Sequence, residues 1–252
     1  MLKKIAEGLN NVTVQTNVCT CGYLTADVGE TYRSCKRENI GLITGSGKER
    51  STQSMSELLE KILDNRNMNE AYEKVCANKG AGGVDGMEIK ELDGYIRGNW
   101  ESIKEQIRKR SYTPQPVRRV EIPKSNGSKR KLGIPTVMDR VIQQGIAQVI
   151  SPMCEPLFSG NSYGFRPNRS CEMAIREMLV FLNEGYEWIV DIDLEKFFDN
   201  VPQDRLMSLV HNIINDGDTE SLIRKYLKAG VMIQGRYEKT DRGTPQGGNL
   251  SP

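Results

Sequence analysis

The stretch EWIVDIDLEKFFDN (187–200) decides how the rest of the chain is read. Its first seven residues alternate and predict a strand. Trp188, Val190 and Ile192 fall on one face; Ile189, Asp191 and Asp193 fall on the other. Two carboxylates side by side on a half-buried sheet repel each other and cost desolvation energy. A lone Asp-x-Asp is usually a pair of exposed edge-strand acids. Here the strand runs straight into LEKFFDN, a tight turn with two aromatics. Pro202 follows and suits the first residue of a helix through Ile214. Carboxylates at a strand end facing a cleft make a good Mg²⁺ site. Magnesium takes few protein oxygens and fills the rest with water and substrate phosphate. Paired Mg²⁺ ions activate a hydroxyl and stabilise a leaving pyrophosphate in in-line phosphoryl transfer.

A second unusual segment is RGTPQGGNLSP (242–252). Pro-Gln-Gly-Gly sets an amide side chain between a fixed proline and two residues that allow close backbone approach. Ser251-Pro252 reads as an N-cap and first helical residue, so the chain is expected to be truncated where a helix begins.

The third segment is basic. From Lys104 to Lys131 there are 10 Lys or Arg against two acids, Glu105 and Glu121, a local charge of +8 in a chain whose net charge is +2. Most charge runs are solvated faces. This one lies in the Pro- and Gly-punctuated SYTPQPVRRVEIPKSNGSKRKLGIP, which reads as a hairpin suited to holding phosphates.

Composition excludes several classes. With 252 residues, 27% charged and 37% hydrophobic, the chain fits one large domain or two small ones. No apolar run approaches bilayer length, and MLKKIAEGLNNVTVQ lacks the apolar core of a signal peptide. Six unevenly spaced cysteines point to a reducing compartment. The single histidine, His211, argues against a multi-His metal site and a His-based triad.

Working outward, residues 1–50 read as a flexible leader. Ser54-x-x-Glu57 reads as a capping box, with Met55, Leu58, Leu59, Ile62 and Leu63 on one helical face. A short helix is expected from Asn69 to Gly80. GAGGVDG (80–86) is a glycine-rich loop without the Gly-Lys-Ser/Thr of a P-loop. A polar helix near 88–110 precedes the basic hairpin. Thr136 opens a helix with Val137, Met138, Val141, Ile142, Ile146, Val149 and Ile150 inward. Ser170 caps another, with Ile175, Met178, Leu179 and Leu182 inward. Thr219 caps a helix ending at Gly230, and Val231–Arg242 reads as a hairpin. The order predicts an α+β fold, a small antiparallel sheet backed by helices.

Three segments, in order, resemble the reverse transcriptases of group II introns, also called intron maturases. They are IPKSNGSKRKLGIPTVMDRVIQQ (122–144) with SYGFRPNRS (162–170), VDIDLEKFFDNV (190–201), and RGTPQGGNLSP (242–252). The resemblance spans about residues 51–252 and leaves the leader uncovered. It implies the fingers and palm of a right-hand polymerase, with fingers over 51–170 and a partial palm over 171–252. Asp193 matches the family's first metal-binding aspartate, with the Leu194 carbonyl completing a Mg²⁺ corner. Phe198 matches the steric gate that excludes a 2′-hydroxyl, while Phe197 is expected to pack. Asp191 tunes its neighbour or supports the turn, and Asp199 is structural.

Lys124 and Arg130 match the residues gripping the incoming triphosphate, with Lys129 and Lys131 as alternatives. Gln246 matches the glutamine lining the nucleotide pocket. Arg118, Arg119, Arg166 and Arg169 match template-backbone contacts or ordinary surface charge. The implied partners are intron RNA, an RNA template with a DNA primer, and deoxynucleoside triphosphates, in a bacterial cytoplasm and away from membranes.

The family's next motif, Tyr-Ala-Asp-Asp, is absent from these 252 residues. The chain alone is therefore expected to be an incompetent polymerase. Two alternatives stand beside this reading: an inactive RNA-binding remnant, and a retron-type or diversity-generating reverse transcriptase.

Overall fold

The computed structural model describes residues 56–123, 127, 129–194, 196–244 and 247–250. The leader, Ser54, Lys124 and Gln246 lie outside them. The described residues form two units, one over Phe158–Asp193 and the other running up to Leu157 and again from Leu194.

The larger unit is built on helices whose starts follow capping chemistry. In α1 (Glu57–Leu63) the Ser56 hydroxyl accepts from the Leu59 N–H at 3.0 Å. That cap lies two residues past the expected Ser54. Asp64 ends α1 and caps α2 (Asn65–Ala77), accepting from Arg66 N and Asn67 N. Its carboxylate takes up first-turn N–H groups, so α2 begins four residues before the expected Asn69. The helix α3 (Ile89–Arg108) opens on a reciprocal box of Glu88 and Glu91.

The central element is α4 (Val137–Cys154), capped by Thr136, whose hydroxyl accepts from Asp139 N at 3.1 Å. Val137, Val141, Ile142 and Ile146 are sealed against α1, α2 and α3 residues such as Ile62, Ala71 and Leu92. Each such side chain contributes roughly 1.5–3 kcal/mol relative to exposure. The face expected from periodicity is therefore the core.

The sheet has strand order β2-β1-β3-β4. β1 (Val117–Pro123) pairs antiparallel with β2 (Lys129–Ile134), from Arg118↔Ile134 to Pro123↔Lys129. β3 (Val231–Ile233) joins β4 (Arg236–Glu238) through Gln234 and Gly235, with φ of 49° and 80°. Two successive positive-φ residues match the right-handed twist of a tight hairpin. This hairpin ends at Glu238, short of the expected Arg242.

β1 and β3 run parallel, with Val117↔Val231 and Arg118↔Met232. The sheet is thus mixed, not antiparallel as expected. Helices intervene between β1 and β3, and a long crossover brings the second strand back in the same direction.

Downstream of Leu194 come α6 (Phe197–Asn200), α7 (Gln203–Ile214) and α8 (Gly217–Lys228). Asp216, not Thr219, caps α8, accepting from Thr219 N at 2.7 Å. Asp216 also accepts the Ser56 hydroxyl, tying α8 to α1.

In the smaller unit, Ser170 caps α5 (Cys171–Asn183) as expected. The expected inward face is not buried: no α5 residue is, and Ile175 is 43% exposed. Residues 187–193 form no strand, and Trp188 and Val190 are 93% and 81% exposed. No strand ladder among the described residues includes them.

Candidate functional site

Strand alternation sorts the basic ribbon into two faces. Arg118, Val120 and Ile122 share a face with Arg130 and Leu132; Arg119 and Glu121 share the other with Lys129 and Lys131. Lys129 pairs with Glu121 at 2.8 Å, and that ammonium holds the Glu121 carboxyl below its ordinary range. The register thus separates Arg130 from Lys129 and Lys131, which sequence left as near alternatives.

Arg118 points back into its own unit. Its Nε and Nη2 donate to the Gly82 carbonyl at 3.1 and 2.7 Å. Arg140 of α4 donates to the neighbouring Ala81 carbonyl at 2.6 Å. Two guanidinium groups therefore anchor the glycine-rich loop. Arg119 Nε is buried without a hydrogen-bond partner among the described residues.

The glycine-rich segment after Arg242 is tied at both ends. At the first, Gly243 N donates to Val201 O at 2.9 Å and Thr244 N to Phe198 O at 2.8 Å. The buried Gln203 amide donates to Gly243 O and Leu227 O, both at 3.0 Å. Gly243 has φ of 76°, and a Cβ there would lie 2.6 Å from Phe198 O, so only glycine fits this approach. At the second end, Asn249 N donates to Gln143 Oε1 at 3.0 Å and Asn249 Nδ2 to Gln144 Oε1 at 2.8 Å. Gly247 backs onto β2, where a Cβ would meet Gly133 O at 2.9 Å. Leu250 packs on the core.

Phe198 and the 243–250 segment are therefore neighbours. The Phe197 and Phe198 rings meet edge-on, with centroids 5.7 Å apart. Phe197, expected to pack, is 52% exposed, and Phe198 is the more covered of the two.

Behind the ribbon lies a buried polar knot. Asp139 in α4 accepts from Tyr112 Oη and Thr136 Oγ1, both at 2.7 Å, from Gln115 N at 3.2 Å and from Tyr226 Oη at 3.2 Å. Burial raises the Asp139 pKa against those four donors. Burial, then the Asp139 charge, raises both tyrosines. The knot fixes residues 111–116, which lead into β1.

In the smaller unit the SYGFRPNRS segment folds on its own arginines. Arg166 Nη1 donates to Ser159 O at 2.6 Å and Ser162 O at 3.0 Å, and its guanidinium lies over Phe158. Arg169 Nη1 donates to Gly160 O at 2.8 Å and stacks over Tyr163. Both arginines build this loop, whatever else they touch. Asp191 and Asp193 stand on the exposed segment of this unit, and Leu194 opens the other.

Carboxylate and carbonyl oxygens are the hard donors that magnesium takes. Among the described residues, however, no group of three His, Cys, Asp or Glu gathers to hold an ion. The Asp193 carboxylate and the Leu194 carbonyl are hard oxygens of that kind.

Sequence reading missed Asp139, Gln143, Gln144, Gln203 and Asn249. A signal existed for two of them. Asp139 and Gln143 interrupt the apolar face of α4 one turn apart, and buried polar residues are the informative exceptions.

A family model described as reverse transcriptase (RNA-dependent DNA polymerase) matches residues 122–252. The chain is 39% identical over 183 residues to the group II intron-encoded protein LtrA of Lactococcus lactis subsp. cremoris, covering 72% of this chain and 30% of that protein. It is 36% identical over 201 residues to protein YkfC of Escherichia coli (strain K12), covering 77% and 53%. It is 32% identical over 231 residues to an uncharacterized 91 kDa protein in the cob intron of Schizosaccharomyces pombe, covering 84% and 28%. A solved partial Cas6-RT-Cas1–Cas2 complex contains a chain similar at a TM-score of 0.55 and 25% identity, covering 84% of this chain and 35% of that one. The chain thus spans about a third to a half of the proteins it resembles. No helix among the described residues is long and apolar enough to cross a membrane.

Proposed function

This chain belongs to the reverse transcriptase (RNA-dependent DNA polymerase) family, with group II intron-encoded proteins among its relatives, and from that premise we propose that it supplies the fingers and part of the palm of an intron-encoded polymerase and maturase. Fingers occupy 51–170 and the partial palm 171–252. The reaction is attack of a primer 3′-hydroxyl on a deoxynucleoside triphosphate, forming a phosphodiester and releasing pyrophosphate, on an RNA template. Binding of folded intron RNA by the same protein assists splicing.

One observation carries this reading. The 243–250 segment is bonded to Phe198 at one end and backs onto β2, the strand of Arg130, at the other. A nucleotide held there meets an aromatic ring, a glycine-lined backbone and a guanidinium together. Arg130 and Lys124 grip the triphosphate, a task suited to a bidentate fork and a point charge. The Phe198 ring packs against the sugar and leaves no room for a 2′-hydroxyl. Gln246 lines the pocket. Arg118, Arg119, Arg166 and Arg169 follow the template backbone, Arg118 doing so through the loop it anchors. The Asp193 carboxylate and the Leu194 carbonyl would offer oxygens to a magnesium ion, whose chemistry there would be to acidify the attacking hydroxyl and offset the charge of the leaving pyrophosphate.

The test uses the 252-residue chain. It is expected to bind dGTP with Mg²⁺ and to lose about tenfold affinity on Arg130→Ala. In primer extension on an RNA template it is expected to make no product, for want of the Tyr-Ala-Asp-Asp carboxylates. Wild-type affinity in Arg130→Ala removes Arg130 from the pocket, and robust synthesis overturns the expectation that these 252 residues, without that motif, are inactive.

A further inference from the structure

The strongest unassigned feature is a row of side-chain amides on α4 that ends on the glycine-rich segment. Gln143 is only 6% exposed, yet its carbonyl oxygen accepts the Asn249 backbone N–H at 3.0 Å. Gln144 accepts from the Asn249 side chain at 2.8 Å. Gln144 is itself oriented: its Nε2 donates to Gln148 Oε1 at 3.2 Å. Gln148 Nε2 donates to Asn67 Oδ1 at 2.8 Å, and Asn67 Nδ2 to the carbonyls of Gly145 at 3.1 Å and Ile62 at 2.7 Å. Each amide thus uses its donor on the next and presents its oxygen to the one before. Such a chain is polarised in one direction and anchored at its far end to the helical core.

We propose that Gln143 and Gln144 are positioning residues that hold Asn249, and through it the backbone following Gln246, in the register that binds an incoming nucleotide. This rests on the nucleotide-pocket reading above and adds the residues that set its geometry. α4 then serves both walls of the pocket. Asp139, one turn before Gln143, fixes the entry to β1 through Gln115 N at 3.2 Å. Gln143 fixes the opposite wall. The two amides touch no substrate in this scheme; they act through the loop they hold.

The test compares Gln143→Met, which keeps the length and removes the acceptor, with Gln143→Glu, which keeps an oxygen. Hydrogen exchange of the peptide covering 243–250 is read beside that of α4 and the ribbon, and dGTP–Mg²⁺ binding is measured on the same proteins. Gln143→Met is expected to speed exchange at 247–250 and to weaken binding, each by about tenfold, with α4 and ribbon protection unchanged. Gln143→Glu is expected to stay within about threefold of wild type in both. Unchanged exchange at 247–250 in Gln143→Met overturns the clamp. Faster exchange with unchanged affinity overturns its role in nucleotide binding. A wild-type chain that binds no dGTP sinks the nucleotide pocket itself, while exchange still decides the clamp. If Gln143→Met loses protection everywhere, Gln144→Met, at a half-buried position, decides by the same two readouts.

Discussion

The Asp139 carboxylate and the Tyr226 hydroxyl meet at 3.2 Å although 87 residues separate them in the chain. Tyr112 reaches the same oxygen, while Thr136 and the Gln115 N–H serve the other. One carboxylate therefore joins α4, α8 and the approach to β1. A buried acid with four donors is satisfied, and it makes each of those donors dependent on it.

The two tyrosines make the fold alkali-sensitive. Burial and the Asp139 charge raise both phenols above their ordinary value of 10.0. Above that value the unfolded chain has lost protons that the folded chain keeps, so stability falls as pH rises; below it their contribution is present in full. Tm is expected to hold to about pH 9 and to drop steeply beyond about pH 10, less so in Tyr226→Phe. Thermal melts across that range check this, and a flat Tm to about pH 11 contradicts it.

Removing the shared acceptor is expected to cost far more than removing one donor. Asp139→Leu strands two phenols, a hydroxyl and a backbone N–H in the interior, a loss of about 3–5 kcal/mol. Tyr226→Phe leaves the carboxylate its other three donors and is expected to cost about 1 kcal/mol. Urea denaturation compares them, and equal midpoints for the two variants refute the shared-acceptor account.

Two glycines are expected to respond in opposite directions to alanine. At Gly83 a Cβ would lie 2.6 Å from Thr136 Cα and 2.7 Å from its N, backbone atoms that cannot swing away. Gly83→Ala should destabilise by about 2 kcal/mol. At Gly98, inside α3, a Cβ meets nothing within 4 Å. Gly98→Ala should stabilise by about 1 kcal/mol. Denaturant midpoints that shift the same way in both variants contradict this packing.

Arg118 and Arg130 share a face of the ribbon but not a task. Arg118→Ala should free the 80–86 loop, seen as faster exchange there and a loss of about 1–2 kcal/mol. Arg130→Ala should weaken nucleotide binding and leave loop exchange unchanged. If Arg118→Ala leaves the loop as protected as before, its bonds to Gly82 are incidental.

Much of this architecture was legible in the residues. The α4 face, the Thr136 and Ser170 caps and the ribbon follow from period and local chemistry, and those signals act within a few residues. The misses need distant partners. EWIVDID has a strand's alternation, but alternation supplies no neighbour for its backbone groups. The parallel β1–β3 pairing depends on a crossover that no local pattern records. The α2 start moved four residues early because the Asp64 carboxylate takes up the N–H groups of Arg66 and Asn67, which the helical period does not record. In the candidate site, Phe198 and the RGTPQGG segment were visible as motifs. Their bond, Thr244 N to Phe198 O at 2.8 Å, was not, because a backbone contact leaves no mark on side-chain identity. Gln144 left no mark because glutamine is common on helix surfaces, whereas Gln143 was legible as a polar break in the apolar face of α4.

α4 is also a ruler. Its polar stations at Asp139 and Gln143 are one turn apart and face two different loops. Inserting or deleting a single residue between them would swing everything downstream by about 100° around the axis. The amide at 143 would leave Asn249 while the carboxylate at 139 stayed in place. Related chains can therefore exchange side chains along this rod far more freely than they can change the count between those two stations.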